Sequence, residues 1–270
     1  MKKTGLKRQQ GDKFYTKKSV VDSCMQHARS RIDLNATLVI EPSAGDGAFC
    51  DAIKQSTQHY EFYDIDPKRD DITECDFLAL DIPEQSLPIC FLGNPPFGRQ
   101  SSLAIKFIKK SCAIAKFICF ILPNSFKKES MQRHFPARFH LVHQSEIEEN
   151  GFIIDGSSHN VPCVFQIWER RDTERTTLAK QKPNGFAFVK KDENPDIAFR
   201  RVGVNAGSVY TTIDDKAEQS HYFIKFDSNL DCDTCVNTLQ NIEYPSSNTV
   251  GPRSISKQEL IVKLNAKLNS

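Results

Sequence analysis

Short apolar runs recur along the first part of the chain and alternate with segments that have helical spacing. We predict strands near residues 38–40, 60–65, 89–92 and 117–122, and helices over residues 19–30 and 103–116. A strand that is apolar along its whole length must be covered on both faces, as parallel strands are in α/β proteins. The sequence therefore predicts an α/β fold with a mostly parallel sheet and helices on both faces.

A turn with two glycines follows the first predicted strand, in the segment Glu41-Pro42-Ser43-Ala44-Gly45-Asp46-Gly47-Ala48-Phe49. Gly45 and Gly47 lie where the strand passes into a helix, and glycine there allows positive φ and close approach of a ligand. The dinucleotide fingerprint needs a third glycine three positions later, where this chain has Cys50. No Gly-Lys-Ser/Thr follows either, so the turn suits a nucleoside cofactor without a pyrophosphate.

Acidic residues occur in the next strand candidate and in the short segment after it, which ends with Cys75-Asp76-Phe77-Leu78. The strand at residues 60–65 carries Asp64 near its end, where a carboxylate can accept hydrogen bonds from ribose hydroxyls. Asp66 is the competing candidate, although it is the more ordinary cap or turn residue. Asp76 and Phe77 could contact the edge and face of an adenine ring. An exposed turn aspartate beside a core phenylalanine is an equally good interpretation.

The tetrapeptide Asn94-Pro95-Pro96-Phe97 follows the apolar run 89–92 and lies between two glycines. Each proline fixes its own φ, removes an N–H donor and pushes the preceding residue toward extended geometry. The loop is therefore rigid and presents an amide, several backbone carbonyls and one aromatic ring. Such a set of acceptors suits an aromatic amine; a proline-rich turn that merely ends a strand is the alternative.

Together these segments resemble the class I S-adenosylmethionine-dependent methyltransferases, and more narrowly those that modify the exocyclic amine of adenine. Phe14-Tyr15-Thr16 resembles the N-terminal cofactor motif, although many members have Thr-Pro where this chain has Thr16-Lys17. The order of the motifs is similar to that of the gamma-ordered DNA adenine methyltransferases. The resemblance covers roughly residues 11 to 170 and implies a Rossmann-like methyltransferase core.

The resemblance also implies roles for individual residues. The cofactor S-adenosylmethionine would be bound by Tyr15, Thr16, Glu41, Ser43, Gly45, Gly47, Asp64, Asp76, Phe77 and Asn94. The catalytic loop would be Asn94, Pro95, Pro96 and Phe97. In that loop the Asn94 side-chain oxygen and the Pro95 carbonyl would accept both hydrogens of the amine, and Phe97 would stack on a flipped base. No general base and no metal is expected.

The net charge is only +2, but the basic residues are unevenly distributed. Residues 98–140 contain nine Lys or Arg against the single acid Glu129. Positive charge beside a catalytic loop is typical of proteins that bind a phosphate backbone. We predict that Arg99, Lys127 and Lys128 bind substrate. A solvated helix face is the better interpretation of Lys106, Lys109 and Lys110, since Leu103, Phe107 and Ile114 form an inward stripe at helical spacing.

The composition shifts around residues 169–185, where a charged stretch precedes a turn. We therefore predict two domains, residues 1–172 as the methyltransferase core and residues 173–270 as a smaller α+β segment for target recognition. In that segment Arg200 and Arg201 are followed by two glycines, Gly203 and Gly207, and are predicted to bind phosphate. Ser256 and Glu259 form a capping box that predicts a C-terminal helix of about a dozen residues.

Two further strands are predicted over residues 141–147 and 161–168. The segment between them, residues 150–160, is expected to be a loop. Its Gly-Phe-Ile-Ile tip (151–154) could contact the substrate base, and an ordinary loop is an equally good interpretation.

Cysteine usage and hydropathy bear on the compartment. Nine cysteines are an odd number, which argues against a complete disulfide framework. Cys232 and Cys235 form a lone pair of thiols, whereas a four-ligand zinc site needs two such pairs. No apolar segment follows the basic start, and the longest apolar run, 117–122, is far too short to span a bilayer. We expect a cytoplasmic protein with neither a metal nor a membrane partner.

The sequence as a whole predicts a DNA adenine-N6 methyltransferase, of the kind found in restriction-modification systems. Three alternatives remain at this point. An RNA adenine methyltransferase could use the same tetrapeptide. A protein glutamine methyltransferase could present its amide to the same acceptors, although Tyr is usual there in place of Phe97. A nucleic-acid-binding module that keeps the fold without catalysis is the third.

Overall fold

The computed structural model of the protein describes residues 15–154, 156–176, 179–244 and 253–268. The chain divides into two compact units, residues 1–176 and residues 177–270. The boundary between the two units lies four residues after the predicted domain boundary at 172/173. Phe14 and the basic residues that precede it lie outside the described residues.

The first unit is built from the following elements. Its strands are β1 (Tyr15–Thr16), β2 (Leu38–Glu41), β3 (Tyr60–Asp64), β4 (Thr73–Glu74), β5 (Ile89–Gly93), β6 (Phe117–Pro123), β7 (Phe139–Glu146), β8 (Phe152–Ile154), β9 (Ser157–His159) and β10 (Cys163–Arg170). Its α-helices are α1 (Lys18–Arg29), α2 (Cys50–Lys54), α3 (Ser102–Ile114) and α4 (Glu129–Gln132). Short 3-10 helices cover Leu34–Ala36, Arg99–Ser101 and Asn124–Lys127.

Seven of these strands form one sheet, in the order β4-β3-β2-β5-β6-β10-β7. The five strands from β4 to β6 are parallel, whereas β10 is antiparallel to both β6 and β7. The first unit has a Rossmann-like α/β fold, as predicted. The predicted helices at 19–30 and 103–116 are confirmed as α1 and α3, and each predicted strand is present with small changes at its ends.

The sheet is buried on both faces, which explains its apolar strands. In β5, Leu92 packs in a cluster with residues of α1, while Phe91 packs in a second cluster with residues of α3. In β6, Cys119 and Phe120 divide between the same two clusters. Alternate residues of a strand point to opposite faces, so both faces must be apolar when helices cover both.

The expectation of a loop over residues 150–160 is wrong. β8 and β9 form an antiparallel hairpin, and β8 also pairs with β1, where Phe152 lies opposite Thr16. The Phe152 side chain is fully buried in the cluster that contains Val20. Burial of an aromatic ring contributes roughly 1.5–3 kcal/mol relative to exposure, which favours this position over an exposed tip. Phe152 is therefore not accessible to a substrate base.

The end of the first unit is fixed by Arg175. Its guanidinium donates to four backbone carbonyls, those of Gln132, Phe135, Pro136 and Phe139. It also lies 5.2 Å from the ring centroid of Trp168, so it combines hydrogen bonds with a cation–π contact. Residues immediately after β10 are thus part of the packed first unit, which ends at residue 176 and extends past the predicted boundary at 172/173.

The second unit is an antiparallel sheet with two helices. Its elements are β11 (Phe186–Val189), β12 (Ile197–Arg200), β13 (Val209–Tyr210), β14 (His221–Phe226), α5 (Cys232–Gln240) and α6 (Lys257–Leu268). The strand order is β11-β14-β12-β13, and every pair is antiparallel. The predicted capping box is formed: Ser256 N–H donates to Glu259 Oε2 at 2.8 Å, and Glu259 N–H donates to Ser256 Oγ at 3.2 Å. Among the described helices of both units, none has the length and apolar character of a membrane span.

Candidate functional site

A pocket of about 430 Å³ lies at the carboxyl ends of β2, β3 and β5. Ligands of open α/β sheets bind at this edge of the sheet. Nine of the ten predicted cofactor residues line it, namely Tyr15, Thr16, Glu41, Ser43, Gly45, Asp64, Asp76, Phe77 and Asn94. Pro95, Pro96 and Phe97 line the same pocket. The tenth predicted cofactor residue, Gly47, is not among the lining residues.

The glycine turn is held directly against the end of β3. Gly45 has φ of +58°, and its N–H donates to Asp64 Oδ2 at 2.7 Å. Ala44 N–H donates to the Tyr63 carbonyl at 2.8 Å, and Lys68 N–H donates to the Gly45 carbonyl at 3.1 Å. The positive φ explains the glycine, because a side chain there would be strained.

Asp64 presents a carboxylate that already accepts backbone hydrogen bonds. Its Oδ1 atom accepts from Asp66 N–H at 2.8 Å, while Oδ2 accepts from Gly45. A carboxylate has about four acceptor positions, so each oxygen can accept a further hydrogen bond from a ligand. Asp66 instead pairs with Lys68 at 2.7 Å and is not among the residues that line the pocket.

The requirement for glycine at position 47 is structural and does not involve the pocket. A Cβ atom at this position would overlap the side chain of Arg69, and φ is +83°. The Arg69 guanidinium binds Asp51 at the start of α2 and also Asp71, each carboxylate through two hydrogen bonds. Arg69 therefore ties the segment after β3 to α2 across the turn. The sequence analysis did not identify Arg69. The feature of the sequence that is connected with it is Gly47, the second glycine of the turn.

Glu41 is a buried carboxyl group in the wall of the pocket, with only 2% of the residue exposed. Burial raises the pKa of Glu41 well above its usual value, and the negative charges of Asp46 and Asp64 raise it further. Its Oε2 atom accepts a long hydrogen bond from the Cys50 thiol at 3.7 Å. A Cβ atom at Gly93 would lie 3.0 Å from the Glu41 side chain, so the glycine before Asn94 makes room for this carboxyl.

The tetrapeptide loop is bonded to both of the other motifs. Asn94 Nδ2 donates to Thr16 Oγ1 at 3.2 Å, and the Asn94 carbonyl accepts from Ser43 Oγ at 3.3 Å. The Phe97 carbonyl accepts from the first turn of α3, from Leu103 N–H at 3.1 Å and Ala104 N–H at 3.3 Å. The half-buried ring of Phe97 packs on the apolar core beneath. The N-terminal motif, the glycine turn and the proline loop therefore form one connected site.

Asp76 and Phe77 were interpreted either as adenine contacts or as an exposed turn aspartate beside a core phenylalanine. Their surroundings match the second interpretation, and their position is also compatible with the first. Phe77 is a core residue that packs on Phe91 and Phe107, with ring centroids 5.4 Å and 5.1 Å away. Asp76 is exposed, and its Oδ1 atom accepts from Leu78 N–H at 2.9 Å in a local turn. Both residues nevertheless line the pocket.

Two residues that were not predicted to have a role, one in the pocket lining and one behind it, contribute to this region. Ile65 is 69% exposed and lines the pocket directly after Asp64. Lys110 was expected on a solvated helix face, but its ammonium donates to the carbonyls of Leu78 and Leu80 and lies 5.6 Å from the centroid of Phe77. Lys110 thus fixes the segment that carries Asp76. Lys106 and Lys109 are exposed, as expected.

The predicted substrate-binding cations have different surroundings. Arg99 is exposed, and its guanidinium makes no hydrogen bond or ion pair with the described residues. Lys127 forms an ion pair of 2.5 Å with Glu146, so its charge is already partly compensated. Lys128 is half-buried in the same turn. In the second unit, Arg200 Nε donates to the Val202 carbonyl at 2.8 Å, while Arg201 lies 5.3 Å from the ring centroid of Tyr222.

The cysteines and the acidic residues form no metal-binding cluster in the part of the chain that the structure describes. All nine cysteines are free. Cys232 is exposed at the start of α5, whereas Cys235 is buried one turn later.

The chain is similar in structure to several solved proteins at low identity. A candidate RNA methyltransferase, PH1948 of Pyrococcus horikoshii, is 15% identical, with a TM-score of 0.47 over 63% of this chain and 93% of that one. A modification subunit of a candidate type I restriction enzyme from Vibrio vulnificus is 13% identical, with a TM-score of 0.44 over 58% of this chain and 44% of that one.

Magnesium protoporphyrin IX methyltransferase from Synechocystis, solved with S-adenosylmethionine bound, is 13% identical. Its TM-score is 0.44 over 57% of this chain and 79% of that one. The sequence matches no family model and no curated protein.

Proposed function

We propose that this chain is an S-adenosylmethionine-dependent methyltransferase that modifies the N6 amine of adenine in nucleic acid, with DNA as the favoured substrate. The observation that carries the proposal is the single pocket lined by Gly45, Asp64 and Asn94-Pro95-Pro96-Phe97. A turn suited to a nucleoside and a loop suited to an aromatic amine thus meet in one cavity.

The side chains that line the pocket suit the chemistry of the proposed cofactor. Asp64 keeps acceptor capacity for ribose hydroxyls, and Ile65 offers an exposed apolar surface for the face of an adenine ring. Glu41 places a carboxyl group where a positively charged part of a ligand could be balanced. When bound, S-adenosylmethionine supplies an activated methyl group, so the chain itself needs to position and desolvate the acceptor amine.

The proline loop carries out that positioning. The Asn94 side-chain oxygen and the Pro95 carbonyl accept the two amine hydrogens, which localises the nitrogen lone pair. Preorganised acceptors act more strongly in a site that excludes water. Positioning of reactants can lower a bimolecular barrier by about 7–11 kcal/mol in favourable cases. Phe97 provides the aromatic face on which a flipped base stacks.

A nucleic acid substrate is supported by Arg99, two residues after Phe97 in the same loop. Its exposed guanidinium makes no ion pair with the described residues, so it is able to bind a phosphate. The second unit, residues 177–270, adds a folded module beyond the pocket-bearing unit and favours DNA over RNA. We accordingly assign residues 177–270 to target recognition.

The test is transfer of a labelled methyl group from S-adenosylmethionine to unmethylated DNA and to unmodified RNA, followed by nucleoside digestion. N6-methyladenine from DNA alone is the expected result. Label in RNA alone would keep the mechanism and overturn the choice of DNA. Label in neither, with the cofactor bound, would overturn the nucleic acid substrate, and a glutamine-containing protein would be tested next.

A further inference from the structure

The second unit contains an open groove of about 740 Å³ that the proposed chemistry does not use. Its lining combines aromatic rings with cations and includes Phe188, Tyr222, Lys190, Arg201, His221 and Lys257. Asp192 and Glu218 are the two acids among the lining residues, against four Lys or Arg. The groove lies beside the edge strand β11 and the start of α6.

Two cations in the groove are held by the same aromatic ring. The ammonium of Lys257 lies 4.6 Å from the ring centroid of Phe188 and 5.7 Å from that of Tyr222. The guanidinium of Arg201 lies 5.3 Å from the centroid of Tyr222, and its Nη1 atom donates to the Tyr222 hydroxyl at 3.4 Å. The aromatic rings therefore orient the Lys257 ammonium and the Arg201 guanidinium, and neither positive charge is neutralised by these contacts.

Neither Lys257 nor Arg201 forms an ion pair with the described residues, although acids line the same groove. Two like charges around one ring repel each other, and an anion between them would relieve that repulsion. Lys191 differs, because its ammonium donates to the carbonyls of Asp214 and Lys216 and so serves the local loop.

His221 is a second, independent sign of a ligand. The residue lines the groove and is only 5% exposed. Its Nδ1 atom is 3.0 Å from the Ala217 carbonyl, whereas its buried Nε2 atom has no hydrogen-bond partner among the described residues. A buried polar atom without a partner is costly. Because Nδ1 donates to a carbonyl, Nε2 of the neutral ring is an acceptor, and a hydroxyl or N–H group of a ligand would satisfy it.

We propose that this groove binds the phosphodiester backbone of the nucleic acid substrate through Lys257 and Arg201, with His221 Nε2 as an acceptor for a hydroxyl or amine of the same ligand. The inference rests on the proposed function, since it assigns a backbone-binding site to the same substrate. It also distinguishes Arg201 from Arg200, although the sequence analysis predicted the same role for both. Arg201 lines the groove and also donates from Nε to the Gln219 carbonyl at 3.2 Å, whereas Arg200 is not among the lining residues and donates to the Val202 carbonyl.

The experiment measures binding of a labelled single-stranded oligonucleotide to the full chain by fluorescence anisotropy, at several salt concentrations and without cofactor. Each cation that binds a phosphate contributes about 0.7 to the slope of log K against log salt for single strands. Lys257→Ala and Arg201→Ala should each lower the slope by about that amount. Lys257→Arg should keep it.

Lys225→Ala is the matched control, because Lys225 is an exposed cation on β14 that does not line the groove. Thermal melting of every variant checks that the unit stays folded. Equal slopes for Lys257→Ala, Arg201→Ala and Lys225→Ala would overturn the proposal. Displacement of the oligonucleotide by inorganic phosphate alone would also overturn it, in favour of a site for small phosphates.

The readout is separate from the methyl-transfer test. A lower salt slope in Lys257→Ala and Arg201→Ala, with no methylation of any nucleic acid, would support the proposed backbone-binding site and overturn the proposed activity. Methylation with unchanged slopes would do the reverse.

Discussion

Asp64 Oδ2 accepts a hydrogen bond of 2.7 Å from Gly45 N–H, so the end of β3 and the glycine turn are joined by one carboxylate. The other oxygen accepts from Asp66 N–H at 2.8 Å. Asp64 therefore has two tasks, since it shapes the turn and faces the pocket. Because of this double use, we expect the Asp64 carboxylate to matter more for cofactor binding than the neighbouring Asp66.

Replacement of Asp64 by Ala should weaken cofactor binding strongly. Hydrogen bonds to charged groups contribute about 1.5–3 kcal/mol each, so the loss of a ligand contact should lower the affinity by about ten- to a hundredfold. Titration calorimetry with S-adenosylmethionine measures this directly. Asp66→Ala serves as the control and should change the affinity little; equal losses in the two variants would contradict the assignment.

Asn94→Ala should abolish methyl transfer while the cofactor still binds. One of the two acceptors for the amine is lost, and loss of one such group typically costs 10²–10³ in kcat. The measurement combines single-turnover kinetics with cofactor binding. Turnover that persists in Asn94→Ala would contradict the role of Asn94 as an acceptor for the amine. Thr16→Val is the companion variant, because it removes the hydrogen-bond partner of Asn94 and leaves the amide in place.

The raised pKa of Glu41 predicts a pH dependence of cofactor binding. The free protein holds this carboxyl protonated at pH values below its raised pKa. A bound cation favours the carboxylate, so binding releases a proton and the affinity rises with pH until the pKa of the free protein is passed. Calorimetry in buffers with different ionisation enthalpies measures the released proton.

Glu41→Gln should remove that proton release, because the amide does not titrate. The same release in Glu41→Gln as in the unmodified chain would show that another group is responsible. The stability of the variant should also fall less as the pH rises from the usual carboxyl range to the raised pKa of Glu41. Over that range the folded protein keeps on Glu41 a proton that the unfolded chain has already lost, so stability decreases with pH.

Gly47→Ala should destabilise the first unit for two reasons, the positive φ and the overlap with Arg69. A left-handed conformation costs a non-glycine residue about 1–2 kcal/mol, and the overlap adds to this cost. Arg69→Ala alone should also destabilise it, through loss of the bonds to Asp51 and Asp71. The double variant should lose less than the sum of the two, measured by urea unfolding. Strict additivity would indicate that the two residues do not contact each other.

Local sequence patterns determined much of this protein. The periodicity of apolar residues predicted the parallel strands, because strands covered on both faces must be apolar throughout. The turn chemistry of Gly45 and of Asn94-Pro95-Pro96-Phe97 marked two loops, and the edge rule for parallel sheets placed them together. The capping box of Ser256 and Glu259 predicted the start of α6.

Only the tertiary structure decided which partners distant side chains find. Lys127 meets Glu146, 19 residues away, and Lys110 meets the carbonyls of Leu78 and Leu80. The segment at residues 150–160 becomes a hairpin because it can pair with β1, near the other end of the unit. Sequence spacing carries information about neighbours on one helix or strand, whereas the gain from burying Phe152 or pairing Lys127 depends on surfaces that exist only once the chain has folded.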